Sequence, residues 1–453
     1  MHRFTADSER LAARIVAASM DRLRAEPPLD GPLSAEDLSA AAGQTITPEG
    51  IGGEEALRLW TDVLGTACIS VDHPRFLAFV PGAPTQAATM FDLLVSASSV
   101  YAGTWLEGSG AAFAENQALR WIADLAGQPA GAGGTFVQGG SAGNLSALVA
   151  ARHTAAHRHG AGRPRRWAAL VTSDTHSSVT YALERVMDVD VVPVPGDERG
   201  RMTATALRRC VAALPEEQRA GLFAVVASAG VTNTGIVDDL AGIADVAAEL
   251  EVWMHVDAAY GGAGLAAPSV RHLFDGIERA DSFIVDPHKW LFAPFDSCAL
   301  IYREPSLARA AHTQSAGYLD TVTDVEAWNP SDYGIHLTRR ARGLPFWFSL
   351  ATHGTDAYVE AVETTLAVTR AGADEIRDRP YLRLLEEPDL SVLIFERIGW
   401  GKADYARWSE ALLRRGQAFV RPTSHRGQPC TRLAVVNPRT TVADLQAILA
   451  SMA

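Results

Sequence analysis

Residues 281–291 read Asp281-Ser282-Phe283-Ile284-Val285-Asp286-Pro287-His288-Lys289-Trp290-Leu291. The pattern predicts an apolar strand followed directly by a lysine that stands between a histidine and a tryptophan. Such a lysine is an unusual surface residue, and a desolvated lysine amine is the form that makes an imine with a carbonyl group. Lys289 is therefore our first candidate for a catalytic residue.

Similar short apolar runs surround this segment and alternate with alanine-rich helical stretches from about residue 76 to 345. Strands separated by helices in this way imply right-handed crossovers and a mostly parallel sheet. Ligands of such sheets bind beyond the carboxyl ends of the strands. The runs are Trp167 to Thr172, Val189 to Val194, Leu222 to Ala227, Val252 to Asp257, Ser282 to Val285 and Cys298 to Tyr302.

The segments on either side of this region have different patterns. Residues 1–75 predict a helical arm with little core of its own, which we expect to pack on a partner. Residues 346–453 predict a small α+β domain with strands at Asp389 to Phe395 and Thr431 to Val436. The 453 residues thus divide into an arm, a large domain at 76–345 and a small domain.

The composition is that of a globular protein, with 47% hydrophobic and 21% charged residues. A formal charge of -13 argues against nucleic acid or an anionic membrane as the main partner, because both attract basic surfaces. The N-terminus lacks the apolar core of a secretion signal, and the four cysteines are scattered without close pairing. We expect a cytoplasmic protein with reduced cysteines.

Two further motifs lie where a strand gives way to a loop or helix. The first is glycine-rich, Phe136-Val137-Gln138-Gly139-Gly140-Ser141-Ala142-Gly143-Asn144-Leu145. Small residues before a helix let backbone N–H groups approach a phosphate, although an ordinary turn has the same composition. The second motif, Ser173 to Ser178, contains His176, which could stack on a flat ring or simply cap a helix.

A fourth motif places a carboxylate at the end of an apolar strand, in Trp253-Met254-His255-Val256-Asp257-Ala258-Ala259-Tyr260. Burying Asp257 is costly without a cationic partner, and a protonated pyridine nitrogen is such a partner. Ala259 would leave room for the face of a ring. An alternative is that Asp257 caps the next helix. Together, the four motifs supply what pyridoxal 5'-phosphate needs.

The same motifs resemble the group II pyridoxal-phosphate amino-acid decarboxylases, from about His73 to Thr440. The family includes the aromatic-L-amino-acid, histidine, glutamate and diaminobutyrate decarboxylases. The resemblance implies an α/β fold of type I, transferase-like, with a mostly parallel seven-stranded sheet flanked by helices. It also implies a homodimer with active sites at the subunit interface.

The resemblance also implies roles for individual residues. Lys289 is similar to the Schiff-base lysine, Asp257 to the partner of the pyridine nitrogen and His176 to the ring-stacking histidine. Tyr318 is similar to the loop tyrosine that protonates the carbanion left by CO2. The remaining cofactor residues that the resemblance implies are Gly140, Ser141 and His288 at the phosphate, Ala259 at the ring and Thr232.

The sequence leaves open which amino acid is the substrate and whether the product is an amine or an aldehyde. Phe79, Val80 and Pro81 resemble an apolar side-chain pocket, and Thr338 occupies a family position that tunes substrate size. An aromatic amino acid is the first candidate for the substrate, and diaminobutyrate, glutamate or another small polar amino acid is the alternative. An oxidative aldehyde synthase is a further alternative, but the family associates that outcome with loss of the tyrosine or the histidine. An inactive homologue should lack a key residue, and none is missing.

Two local features depart from this picture. Asp286 stands where animal aromatic decarboxylases carry asparagine, and a carboxylate there would repel the phosphate unless it is otherwise bonded. His153, His157 and His159 have the spacing of metal ligands on a helix. Without a carboxylate partner, they predict a solvated helix face rather than a zinc site.

Overall fold

The computed structural model describes residues 2–160, 162–314 and 327–453. Its centre is a seven-stranded sheet with the strand order β1-β7-β6-β5-β4-β2-β3. Strand β7 runs antiparallel to β1 and β6, and the other neighbours pair in parallel. The strands are β1 (Gly133–Val137), β2 (Ala168–Thr172), β3 (Asp190–Val194), β4 (Leu222–Ser228), β5 (Trp253–Asp257), β6 (Ser282–Val285) and β7 (Cys298–Tyr302). The predicted mostly parallel sheet of seven strands is confirmed.

The sheet is buried on both faces. Along β6, Phe283 and Val285 belong to one apolar cluster and Ile284 to the cluster on the opposite face. Parallel strands between two helical layers have this continuous apolar character. Strand β1 is the one that the apolar pattern did not reveal, because it begins with two glycines. A Cβ at Gly134 would lie 1.9 Å from the Leu300 carbonyl oxygen of β7, so this close pairing requires glycine.

The N-terminal segment contains three helices, α1 (Ala6–Arg24), α2 (Ala35–Ala42) and α3 (Gly53–Leu59). Helix α3 continues as a π-helical turn at Trp60–Leu64. No residue of α1 or α2 is buried. The packing of this arm on a partner stays a prediction.

Helices cover both faces of the large sheet. They are α4 (Gln86–Ser98), α5 (Trp105–Leu125), α6 (Gly140–His159), α7 (Ser177–Thr180), α8 (Ala204–Ala213), α9 (Glu216–Ala220), α10 (Leu240–Glu249) and α11 (Pro305–His312). In the part of the chain that the structure describes, no helix is both long and apolar enough to cross a membrane.

The C-terminal region forms a second, antiparallel sheet of four strands in the order β10-β11-β9-β8. Its strands are β8 (Leu382–Leu384), β9 (Val392–Arg397), β10 (Pro422–His425) and β11 (Gln428–Ala434). Helices α13 (Thr355–Arg377), α14 (Lys402–Arg414) and α15 (Val442–Ala450) accompany it, whereas α12 (Leu344–His353) packs on α4 and α5 beside the large sheet. The sequence predicted β9 and β11 but not β8 and β10, which are only 3 and 4 residues long.

Candidate active site

A cavity of about 490 Å³ opens at the carboxyl ends of the parallel strands. Its size is in the range of small-molecule sites, and its place is where such sheets bind ligands. All eight cofactor residues expected from the sequence line it: Gly140, Ser141, His176, Thr232, Asp257, Ala259, His288 and Lys289. The fold therefore brings together residues that are up to 149 positions apart in the chain.

Lys289 reaches into this cavity and forms an ion pair with Asp286. Its Nζ lies 2.9 Å from Asp286 Oδ2, and the two residues share one turn, because the Lys289 N–H donates to the Asp286 carbonyl oxygen. Burial lowers the pKa of Lys289 and the Asp286 carboxylate raises it, with a net upward shift. The Asp286 carboxylate is thus bonded to the lysine, which resolves the repulsion expected from its charge.

The ion pair predicts the effect of Asp286→Asn. Without the carboxylate, the pKa of Lys289 should fall, and a larger fraction of the amine is then neutral at neutral pH. Since only the neutral amine attacks a carbonyl carbon, the pH profile for imine formation with the cofactor should move to lower pH. Stopped-flow absorbance across a pH series measures this. Asp296→Asn is the control, because Asp296 lines the same cavity but pairs with Arg342. Equal profiles for Asp286→Asn and the wild type would contradict the prediction.

Asp257 ends β5 and is only 8% exposed. Its Oδ2 accepts a hydrogen bond from Asn144 Nδ2 at 2.9 Å, and its Oδ1 accepts one from the Ala259 backbone N–H at 3.1 Å. Among the described residues, no lysine, arginine or histidine lies within ion-pair distance of this carboxylate. A buried carboxylate that faces a cavity and has no described cation within ion-pair distance suits a ligand that brings a positive charge, such as a protonated pyridine.

His176 and the start of α6 form the other walls. His176 caps α7, and its Nδ1 lies 2.8 Å from Ser178 Oγ. Helix α6 begins at Gly140, so its first backbone N–H groups and Ser141 face the cavity and suit a phosphate. A Cβ at Gly140 would lie 3.2 Å from Asp286 Oδ2 and 3.3 Å from Ala259 Cβ, so a larger residue would crowd the cradle.

The four residues expected to contact the substrate side chain, Phe79, Val80, Pro81 and Thr338, do not line the cavity of the single chain. Phe79 is 59% exposed, whereas its neighbour Gly82 packs on the His288 carbonyl oxygen. Tyr318 lies outside the described residues. Ser178 and Ser228 also line the cavity, and the sequence did not predict them. It also did not predict the contacts that Asn144 and Asp286 make in the site. Asn144 was quoted within its motif, but its short polar side chain carries no signal that separates a ligand contact from a turn.

The chain contains only two lysines. Lys402 is exposed at the start of α14, and Lys289 is the one in the cavity. Any primary side-chain amine that reacts at this site is therefore that of Lys289.

A strand-end lysine, a buried carboxylate without a cation and a phosphate cradle on a mostly parallel sheet define the active site of a pyridoxal-phosphate enzyme. The comparison with protein families agrees, because residues 54–398 match the model described as the pyridoxal-dependent decarboxylase conserved domain. The chain belongs to this family, and it is a pyridoxal-phosphate-dependent decarboxylase acting on an amino acid.

Curated relatives span most of the chain. The aromatic-L-amino-acid decarboxylase of Bacillus atrophaeus is 29% identical over 97% of this chain and 92% of its own length. The L-2,4-diaminobutyrate decarboxylase of Rhizobium meliloti (strain 1021) is 32% identical over 82% of this chain and 75% of its own length. The crystal structure of Oryza sativa TDC with PLP and tryptamine has a TM-score of 0.90 at 25% identity, covering 100% of this chain and 99% of that one.

Proposed function

We propose that this enzyme converts an aromatic L-amino acid to its amine and CO2. The observation that carries the proposal is the similarity to the Bacillus aromatic-L-amino-acid decarboxylase along almost the full length of both chains. The cavity agrees with it, because Phe295 and Val231 contribute apolar surface. Lys289 is the single lysine or arginine among the described residues that line the cavity, so one chain offers an anionic side chain such as that of glutamate no cation besides the lysine that holds the cofactor.

A small cationic substrate, L-2,4-diaminobutyrate, is the second candidate. The Rhizobium relative that supports it has the higher identity but matches a smaller share of both chains. Asp296 lines the cavity and could receive an ammonium group, although its carboxylate already pairs with Arg342. The aromatic substrate therefore remains the first choice.

In the proposed mechanism, Lys289 holds the cofactor covalently, and Gly140, Ser141 and His288 hold its phosphate. When bound, the cofactor would supply a ring that accepts the electron pair left on Cα when CO2 departs. Asp257 keeps a proton on the ring nitrogen, and His176, which lines the same cavity, orients the substrate carboxylate. Tyr318 then returns a proton to Cα of the product. An intact His176 and Tyr318 also support decarboxylation over the oxidative aldehyde outcome.

The proposed function is tested by incubating the protein and cofactor with each common L-amino acid and with L-2,4-diaminobutyrate. Amine and CO2 are measured together with aldehyde and peroxide. We expect the highest kcat/KM with tryptophan, tyrosine or phenylalanine and an equal yield of amine and CO2. A higher kcat/KM with diaminobutyrate would contradict the aromatic substrate. Peroxide formed in equal amount to CO2 would show that the reaction is oxidative and yields an aldehyde.

We further propose that the enzyme is a homodimer whose interface completes the active site. Large apolar side chains are exposed on α4, on α5 and on the π-helical segment Tyr181–Val186, and exposed apolar side chains of this size are typical of an interface. They are Leu93, Leu94, Leu106, Phe113, Tyr181 and Val186. A partner over this surface would also explain why Phe79 and Thr338 lie outside the cavity of one chain.

The double variant Leu106→Glu/Phe113→Glu tests the dimer. These side chains are 72% and 57% exposed on the same helix, and two charges there should raise the dimer dissociation constant on the order of 100-fold. Light scattering over a dilution series should detect monomers, and activity should fall with the dimer fraction. The control is Ile398→Glu, because Ile398 is exposed in the C-terminal region. A double variant that stays dimeric would place the interface elsewhere.

A further inference from the structure

A continuous network of hydrogen bonds connects Asp257 with His176 through the side chain of Asn144. Asn144 lies in the first turns of α6 and is 1% exposed. One of its amide hydrogens goes to Asp257 Oδ2, with an N···O distance of 2.9 Å, and the other to Ser178 Oγ at 3.1 Å. A carboxylate only accepts hydrogen bonds, so the amide nitrogen must be the atom that faces Asp257.

The side-chain oxygen of Asn144 takes part in a second series of hydrogen bonds, through His255, Ser282 and Trp253. Asn144 Oδ1 only accepts, so His255 Nε2 at 2.9 Å donates to it and carries the hydrogen of the neutral ring. The other ring nitrogen, Nδ1, then accepts from Ser282 Oγ at 2.8 Å, and that hydroxyl accepts from Trp253 Nε1 at 2.8 Å. Burial lowers the pKa of His255 to about 4 despite the opposing effect of Asp257, so this ring is neutral near pH 7.

The network also determines the hydrogen on His176. Ser178 Oγ accepts from Asn144 and is 2.8 Å from His176 Nδ1, so its hydrogen is directed to that nitrogen. The Ser178 backbone N–H points at the same Nδ1 at 3.2 Å. Because a backbone N–H only donates, Nδ1 is an acceptor, and a neutral His176 carries its hydrogen on Nε2.

We propose that Asn144 is the positioning residue of this active site, which orients the Asp257 carboxylate and, through Ser178, fixes His176 as the Nε2–H tautomer. The cavity is then lined by an oriented anion, Asp257, and by a hydrogen-bond donor, His176 Nε2–H. This inference rests on the proposed function for the use of that donor, which is to hold the substrate carboxylate. The tautomer itself is a property of the protein without cofactor or substrate.

The first test measures the tautomer directly. Long-range proton–nitrogen correlation spectra of the cofactor-free protein with ¹⁵N-labelled histidine should show distinct Nδ1 and Nε2 shifts for His176, assigned with His176→Gln. In Asn144→Leu the two shifts should move toward each other, because Ser178 Oγ loses its donor and becomes free to accept from Nδ1–H, which leaves the Ser178 backbone N–H as the contact that favours the Nε2–H tautomer. Unchanged His176 shifts in a folded Asn144→Leu protein would overturn the proposal, whatever the substrate proves to be.

The second test measures the dissociation constant for pyridoxal phosphate. Asn144→Leu should weaken binding about tenfold, since a hydrogen bond to a charged group is lost. Ser178→Ala should change the His176 shifts while leaving the dissociation constant within about twofold, because Asp257 keeps its bond to Asn144. Ser146→Ala is the control, since it removes a buried hydroxyl of α6 that bonds elsewhere.

These variants also separate a positioning role from a merely structural one. If Asn144→Leu does not fold, Ser178→Ala alone decides the link to His176, because Ser178 lies at the cavity wall. Unchanged His176 shifts in that variant would overturn the link. Equal losses of cofactor affinity in Asn144→Leu and Ser146→Ala would overturn the role at Asp257, because they would reflect general damage to α6.

Discussion

Lys289→Ala should abolish the imine absorbance band of the protein with its cofactor and lower kcat on the order of 10⁴-fold or more. The Nζ atom of Lys289 lies in the cavity beside Asp286, and no second lysine is within the site. The nearby arginines cannot substitute, since a guanidinium stays charged and does not form the imine. Absorbance spectra and amine production under saturating substrate measure both effects.

The chain provides a matched control for this prediction. Lys402 is the one other lysine and is exposed at the start of α14. Lys402→Ala should retain the absorbance band and the rate. After borohydride reduction, the cofactor should be found on a peptide with Lys289 and not on one with Lys402. An intact band in Lys289→Ala would reject the assignment of the lysine.

Glu115→Ala should lower the free energy of unfolding by about 3–5 kcal/mol, the usual cost of removing one partner from a buried ion pair. Glu115 and Arg339 are 2% and 1% exposed in their side chains and form two bonds, at 2.7 and 3.0 Å. Arg339 also donates to the carbonyl oxygens of Ala102 and Phe136, and the Gly343 N–H donates to Glu115. The variant leaves a guanidinium buried without its counter-charge.

Urea denaturation followed by tryptophan fluorescence measures the change. Glu249→Ala is the control, because Glu249 pairs with Arg208 at the surface, where solvent screens the charges. Its midpoint should be nearly that of the wild type. If the two variants unfold at the same urea concentration, the buried pair contributes no more than a surface pair. The pair joins α5, β1 and the segment before α12, so its loss should also loosen the cavity wall near Arg342 and Asp296.

The sequence predicted the central sheet and the cluster of cofactor residues for one physical reason. The carboxyl ends of parallel strands meet at one edge, so Asp257 at the end of β5 and Lys289 after β6 had to be near each other. Strand β1 was not predicted, because its pairing with β7 requires glycine, which has a low β propensity. Strands β8 and β10 are too short to show alternation.

The polar contacts within the site could not be predicted in this way. The Asp286–Lys289 pair depends on a tight turn between the two residues, and the bonds of Asn144 reach Asp257 and His255 more than 100 positions away. Hydrogen bonds have directions and distances that apolar periodicity does not encode. Phe79 and Thr338 do not line the cavity of one chain, and under the proposed dimer a partner would have to complete the substrate wall.

The small number of lysines limits how readily the protein is modified by aldehydes. The chain carries 40 basic residues besides histidine, and all but two are arginine. Sugars form reversible imines with amines, and these imines rearrange slowly to stable adducts. Apart from the N-terminal amine, the exposed lysine available for this reaction is Lys402. The protein should therefore resist glycation in long incubations with its own aldehyde cofactor or with sugars. In storage or immobilisation chemistry, amine-directed crosslinkers would attach it at almost one defined point.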